Sequence, residues 1–270
     1  METAPSPGFA GPGPHAGAGG LRSRLRAAGI HLGLSAAVAG LCAAVVLGIW
    51  YPQPFREISG GKGLFLLMVS VDLVLGPLVT LAVFDRRKPW RELRRDLAIV
   101  GLLQLTGLAY GLYTVWEARP VYLVFEVDRF RVVRAIDIDD ADLQQAPQGL
   151  QTLPRFGPGI IMAQPPTDRS DVVKSIERAM AGRDIFVQPK TWRPYADALS
   201  AVRRRAKPLA DLDRAQPAHH AAIEAAVRAA GLPVERIAYL PIIARQANWV
   251  ALVDNQDARV VGYLPFGGFA

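Results

Sequence analysis

Apolar positions fall into three long runs in the first half of the chain. The runs cover residues 29–51, 63–84 and 97–116. Each has about 20 residues, the length that a helix needs to cross the hydrocarbon core of a membrane. No run of that length follows residue 116. The pattern predicts a membrane α-helical bundle of three spanning helices.

The second half of the sequence has shorter apolar runs, some with helical spacing and some rich in β-branched residues. The segment 147–166 is rich in Pro, Gly and Gln and is predicted to be a loop. Asn255–Ala258 separates two strand-like runs and is predicted to be a hairpin loop. The predicted strands are 121–127, 129–136, 236–244, 249–254 and 259–266, and the predicted helices are 170–180, 194–206 and 219–231. A soluble α+β domain is therefore expected after the bundle.

These patterns divide the chain into three parts. Residues 1–26 form a Gly/Pro-rich tail that has little to bury and is expected to be disordered. Residues 27–117 form the three-helix transmembrane region, and residues 118–270 form the α+β domain.

Basic residues flank the three runs unevenly. Three arginines precede the first run and six basic residues lie between the second and third, whereas the loop between the first two runs holds only Arg56 and Lys62. Because Lys and Arg collect on the cytoplasmic side of a membrane, the tail and the second loop are predicted to be cytoplasmic. Three crossings then place the α+β domain on the opposite, periplasmic side.

The net charge of +7 does not indicate a nucleic-acid partner. Residues 118–270 contain 20 basic and 17 acidic residues, and no basic stripe with interleaved aromatics is present. The single cysteine, Cys42, lies in the first apolar run and excludes a disulfide within the chain.

Asp72 is the only acidic residue in the second run. A carboxylate in mid-membrane costs about 2.5–3.5 kcal/mol on insertion scales and marks a candidate functional site. Gln104, Thr106 and Tyr110 on the third span are predicted at a similar depth, where they can hydrogen-bond to it. Gly76 and Pro77, one turn later, are expected to loosen the helix and free the carbonyls of Asp72 and Leu73. His31 is predicted to lie too near the inner face to pair with Asp72 directly. The cluster either supports the bundle internally or contacts a partner.

Small residues recur at four-residue spacing in the first and third spans. Such stripes let helix backbones approach closely. They are expected either to pack within this bundle or to remain open for the spanning helix of a partner. The residues are Ala36, Gly40, Ala44 and Gly48 in the first span, and Gly107 and Gly111 in the third.

Local motifs for catalysis or cofactor binding are missing from the sequence. Residues 59–63, SGGKG, lack the full phosphate-loop spacing and are expected to form a turn. His219 and His220 are adjacent at a helix start, where their side chains diverge by about 100°, so a solvated helix end is expected rather than a metal site. No catalytic residue, cofactor or metal is predicted.

Three motifs resemble the type IV pilin accessory proteins of the TfpX/TfpZ type. They are Ser59-Gly60-Gly61, the VDLVLGP stretch at residues 71–77, and ARPVY at residues 118–122. The resemblance covers residues 27–135 closely, and beyond residue 137 it rests on WVALVD and VVGYLPF near the end.

The resemblance implies a non-enzymatic inner-membrane protein of a Gram-negative bacterium that helps a pilin to reach the surface as a fibre. The implied partners are the major type IV pilin, the lipid bilayer and the pilus assembly machinery. The family offers no catalytic residues. A membrane-anchored enzyme that modifies pilin or an envelope component through its periplasmic domain is the alternative from another functional class.

Overall fold

The computed structural model describes residues 18–268 and contains three helices that are long and apolar enough to cross a membrane. The first is α1 (Ala18–Val45), which continues as a π-helical turn (Val46–Trp50). The others are α3 (Gly61–Val83) and α4 (Trp90–Glu117), and a short helix α2 (Phe55–Ile58) precedes α3. The predicted fold class, three spanning helices followed by a mixed domain, is confirmed.

Helix α1 begins earlier than the hydropathy pattern predicted. Residues 18–26 belong to the helix, which corrects the expectation that the whole segment 1–26 is disordered. The segment after Gly20 is rich in Leu, Arg and Ala, which are strong helix formers. Residues 1–17 lie outside the described part of the chain.

Packing divides the chain into two compact units. One contains the residues up to 41 together with 67–111, and we call it the bundle unit. The other contains residues 42–66 and 112–270, and we call it the outer unit. The loop between the first two spanning helices therefore packs with the mixed domain, although the sequence placed it within the transmembrane region 27–117.

The outer unit is built on a mixed sheet. Its strand order is β4-β3-β1-β2-β6-β7-β8, and β5 pairs with the beginning of β6 on the same edge that β2 occupies farther along. The β1–β2 hairpin and the β6–β7–β8 meander are antiparallel, whereas β1 pairs with β3 and β2 with β6 in parallel. The strands are β1 (Pro120–Glu126), β2 (Arg129–Arg134), β3 (Gly159–Ala163), β4 (Trp192–Pro194), β5 (Lys207–Pro208), β6 (Ile237–Ile243), β7 (Trp249–Asp254) and β8 (Val260–Leu264).

Helices cover both faces of this sheet. They are α5 (Asp140–Leu143), α6 (Arg169–Met180), α7 (Leu199–Arg205), α8 (Leu209–Ala215) and α9 (His220–Ala230). Alternate residues of β1 point to opposite faces, so Leu123 and Phe125 join one core cluster while Val124 joins another. The first cluster also contains Phe55 and Ile58 of α2, which are buried against the sheet.

Most predicted elements of this domain are confirmed, with two corrections. The segment 147–166, predicted as a loop, contains strand β3. Its residues Ile160 and Ile161 are β-branched and pair with β1, and this pairing outweighs the flanking Pro and Gly. The segment 194–206, predicted as one helix, begins with a 3₁₀ turn at Tyr195–Ala198 before α7.

The loop before β3 is tied to the end of the first spanning helix. The Gly157 N–H donates to the Ile49 carbonyl at 3.1 Å, within the π-helical turn. Gly157 adopts a φ of +61°, which glycine accommodates without strain. The preceding residue, Phe156, is 79% exposed, although Leu150 and Leu153 of the same loop pack against the core. An aromatic side chain is thus presented where the first span ends.

We expect Phe156 to insert into the membrane–water interface, where aromatic rings are favoured. A Phe156→Cys protein carrying a bimane label, in a Cys42→Ala background in liposomes, should be strongly quenched by lipids with a shallow nitroxide. Val127→Cys is the control, because it lies at the far end of β1, roughly 20 Å from the span. Equal, weak quenching at both sites would contradict this placement.

Candidate functional site

Asp72 is the central residue of α3 and lines a cavity within the bundle unit. The cavity has a volume of about 230 Å³ and is bounded by α1, α3 and α4. Its polar lining includes Asp72, His31 and Gln104, and the remaining residues are Leu34, Ser35, Val38, Ala39, Val69, Gly101, Leu105 and Leu108. A carboxyl group therefore faces a largely apolar space at mid-helix.

Three side chains from three helices form a hydrogen-bonded cluster beside this cavity, which we call the His31–Thr80–Gln104 cluster. His31 Nδ1 lies 2.5 Å from Thr80 Oγ1, and His31 Nε2 is hydrogen-bonded to Gln104 Oε1. Gln104 Nε2 donates to the backbone carbonyl of Asp72 at 3.1 Å. Because the amide oxygen only accepts, Nε2 of His31 donates to it, and Nδ1 shares a hydrogen bond with the Thr80 hydroxyl.

Gly76 makes room for this arrangement. A Cβ atom at residue 76 would overlap the Gln104 side-chain amide, which lies against the glycine backbone. Pro77 has no N–H, so the carbonyl one turn earlier lacks its usual helical donor. Helix α3 nevertheless continues through Pro77. The Gly76-Pro77 turn thus lets an amide from α4 reach the backbone of α3.

Only one of the three predicted partners on α4 reaches Asp72, and it does so through the backbone. Thr106 and Tyr110 lie about 200° and 240° around the helix from Gln104, on an exposed face. The Thr106 hydroxyl donates to the Leu102 carbonyl at 2.8 Å, one turn back in its own helix. Within residues 20–268, no hydrogen bond or ion pair is recorded for the Asp72 carboxylate. Depth along α4 alone does not determine which side of the helix a residue occupies.

The cluster also contains two residues outside the predicted site. His31 was predicted not to pair with Asp72 directly, and it reaches the site through Gln104 instead. Thr80 is buried, at 2% exposure, two helical turns beyond Asp72. A polar residue on each of three predicted spans is the signal that could have indicated such a cluster, since polar groups in lipid seek one another.

The small-residue stripe of α1 is not used for packing within the described bundle. Ala36, Gly40, Ala44 and Gly48 are all exposed, so of the two alternatives for this stripe the structure agrees with an open face. Helix α1 instead turns the neighbouring positions, including Ser35 and Ala39, inward. On α4, Gly107 is open, whereas a Cβ at Gly111 would lie 2.5 Å from the Met68 side chain. Among the six small residues predicted to allow close packing, only Gly111 lies against a neighbouring helix in this way.

The two weak motifs of the outer unit have structural explanations. In SGGKG, the Ser59 hydroxyl donates to the Phe55 carbonyl, and Gly60 has a φ of +74°, so the segment forms the expected turn. His219 stacks on Phe266 with ring centroids 4.1 Å apart, whereas His220 pairs with Asp213 at 2.7 Å. The Asp213 carboxylate raises the pKa of His220. The two imidazoles thus contact different side chains and do not face a common site.

The chain is similar to known fimbrial proteins over most of its length. A family described as "Fimbrial assembly protein FimB" matches residues 20–60. "Fimbrial assembly protein, serogroup I" of Dichelobacter nodosus is 33% identical over 229 residues, which cover 84% of this chain and 89% of that protein. The serogroup E1 protein of the same organism is 31% identical with the same coverage. The protein of serogroups C1 and C2 is 38% identical over 118 residues, 44% of this chain and 90% of that protein. No solved structure matches the chain significantly.

Proposed function

Because the chain belongs to the fimbrial assembly protein family, we propose that it is a non-enzymatic inner-membrane accessory factor that handles type IV pilin during pilus assembly. The observation that carries the proposal is the similarity to the serogroup I fimbrial assembly protein over 84% of this chain. Three helices able to cross a membrane fit a protein that acts where pilin is stored before assembly. The tail and the second loop face the cytoplasm, and the outer unit faces the periplasm.

The partner in this proposal is the apolar helix of the pilin. The exposed stripe Ala36–Gly48 on α1 gives that helix a face of close approach, since small residues allow backbone contact in lipid. The Asp72 carboxylate supplies a polar point near mid-membrane. A pilin helix has a glutamate near its start, so the two carboxylates would repel each other unless the pilin's N-terminal amine lies between them. Contact at Asp72 therefore requires the pilin amine to reach this depth.

Deleting the gene tests the proposed function. We expect the deletion strain to lose most surface pili while pilin is still made and stays in the membrane. Surface fibres are measured by shearing and electron microscopy, and total pilin by immunoblot of whole cells. A plasmid copy should restore the fibres. Normal piliation in a strain without a second copy would refute an assembly role.

Site-specific photo-crosslinking tests the proposed contact. A photo-reactive residue at Gly40 or Ala44 should capture pilin, because both positions are exposed on the small-residue stripe. Val100, which is buried on α4, is the matched negative position within the bundle. Phe156 reports on capture by the outer unit instead. Capture from Phe156 but never from α1 would show that pilin contacts the outer unit and not the spanning helix. That result would still agree with a role in assembly.

A further inference from the structure

The outer unit includes the residues at which the spanning helices end or begin, and one end of its sheet lies beside them. Strand β1 begins three residues after α4 ends, and its first residue, Pro120, pairs with Arg134 at the end of β2. Gln246, in the β6–β7 turn, lies against Gly60, which directly precedes α3. The end of β2 and the β6–β7 turn therefore lie beside the residues at which α4 ends and α3 begins.

An arginine-lined pocket opens at this end. It has a volume of about 300 Å³, and four of its lining residues are arginines: Arg131, Arg134, Arg183 and Arg245. Asp137 is the only acidic residue in the lining. Apolar and small residues complete the walls: Ser59, Val132, Gly182, Phe186, Val187, Ile243 and Ala244.

Acidic residues hold three of the four guanidinium groups in place. Arg134 pairs with Asp137 at 2.6 Å, and Arg183 pairs with Asp142 at 2.8 Å. Arg131 pairs with Glu126 at 3.3 Å and with Asp184 at 3.8 Å, and its guanidinium lies 4.8 Å from the Phe186 ring centroid. A guanidinium has five N–H donors, so these carboxylates leave donors available to a ligand. These arginines are oriented before any ligand arrives.

Arg245 differs from the other three. It is exposed at the rim of the pocket, in the turn that contacts Gly60, and among residues 20–268 no carboxylate pairs with it. A charged donor without a partner, beside three oriented guanidinium groups, favours a compact anion with several acceptor oxygens. Phosphate matches that description, because guanidinium groups bind its oxygens in pairs.

We propose that this pocket binds the phosphate headgroup of an anionic phospholipid in the leaflet that faces the outer unit. Ser59, just before α3, lines the pocket, its arginines supply charge-assisted donors, and the Phe186 and Ile243 side chains offer an apolar wall for the glycerol backbone. A zwitterionic lipid adds a cationic group that four arginines repel. This inference is independent of the proposed role in pilus assembly.

Lipid binding by the purified full-length protein tests the inference. The protein is delipidated in detergent, and its melting temperature is followed during titration with short-chain phosphatidylglycerol, with short-chain phosphatidylcholine, and with inorganic phosphate. We expect saturable stabilisation by phosphatidylglycerol and none by phosphatidylcholine. Arg245→Gln should weaken phosphatidylglycerol binding about tenfold, the usual effect of losing one charge-assisted hydrogen bond. Arg204→Gln removes the same charge from an exposed position of α7 and should leave the affinity unchanged.

Several results would overturn the inference. Equal stabilisation by both lipids would exclude recognition of an anionic headgroup. Equal stabilisation by inorganic phosphate and phosphatidylglycerol would make the pocket a general anion site instead of a lipid site. An unchanged affinity of Arg245→Gln for phosphatidylglycerol would show that this pocket does not bind the lipid. Arg245→Lys keeps the charge but not the paired donors, and an intermediate affinity in that variant would support binding through the guanidinium.

Discussion

Replacing Gly76 with alanine is expected to destabilise the bundle unit by about 1–2 kcal/mol. The new Cβ would overlap the Gln104 amide, so Gln104 must leave the Asp72 carbonyl and His31. Hydrogen bonds between spanning helices contribute about 0.6 kcal/mol on average and up to about 1.7 kcal/mol. The loss of two such bonds outweighs the gain in helix propensity that alanine brings.

Gly107→Ala is the matched control for this prediction. Nothing lies within 4 Å of a Cβ at Gly107, so the same change on α4 should be neutral or slightly stabilising. Stability is measured by thermal unfolding of the purified protein in detergent, and surface pili are counted in strains carrying each variant. Adding Gln104→Ala to Gly76→Ala should cost little more, because the two residues act through one contact. Additive losses would show that Gly76 has a different role.

Replacing Asp254 with alanine is expected to destabilise the outer unit by about 2 kcal/mol. Asp254 is fully buried at the end of β7, where its carboxylate pairs with Arg236 and accepts the Gln256 N–H at 2.9 Å. Alanine would leave both donors without their acceptor. Asp257→Asn is the control, because Asp257 lies in the same hairpin loop but is exposed. This substitution should lower the free energy of unfolding by well under 1 kcal/mol. Near-UV circular dichroism of the full-length protein follows the unfolding.

Because of the same carboxylate, the stability of the outer unit depends on pH in the acidic range. The Gln256 N–H and then Arg236 lower the pKa of Asp254 below its usual value. A lowered pKa means that the folded state binds this proton less readily than the unfolded state does. Its contribution is therefore complete above about pH 4, the unfolded pKa of Asp, and is lost as the pH falls through the folded pKa. Wild-type and Asp254→Asn proteins should converge in stability toward low pH, and a constant difference would contradict this assignment.

The sequence contains enough information for the spans and for most of the sheet. A membrane requires about 20 apolar residues per helix, and hairpins join neighbours in sequence, so both leave local patterns. Strand β3 was missed because its five residues lie among prolines and glycines and are ordered by pairing with β1, more than 30 residues earlier. Parallel pairing of this kind has no local signal.

The candidate site was predictable only in part. The position of Asp72 in an apolar run identified the depth of the site, and Gln104 was expected there. Which side of each helix faces inward depends on how three helices pack, so the contribution of His31 and Thr80 could not be derived from their position along the chain. The same uncertainty left two alternatives for the α1 stripe, packing within the bundle or an open face, and the stripe lies on the surface.

The burial of α2 against the sheet restricts the order in which the protein can be made. Phe55 and Ile58 leave the ribosome before the second and third spans, whereas strands β6 and β7, which they help to cover, are synthesised about 180 residues later. Until then, these two apolar side chains have no core to enter. The outer unit therefore completes its folding only after all three long helices have been synthesised, and an arrest of translation between α4 and β6 would leave the short helix without its binding surface.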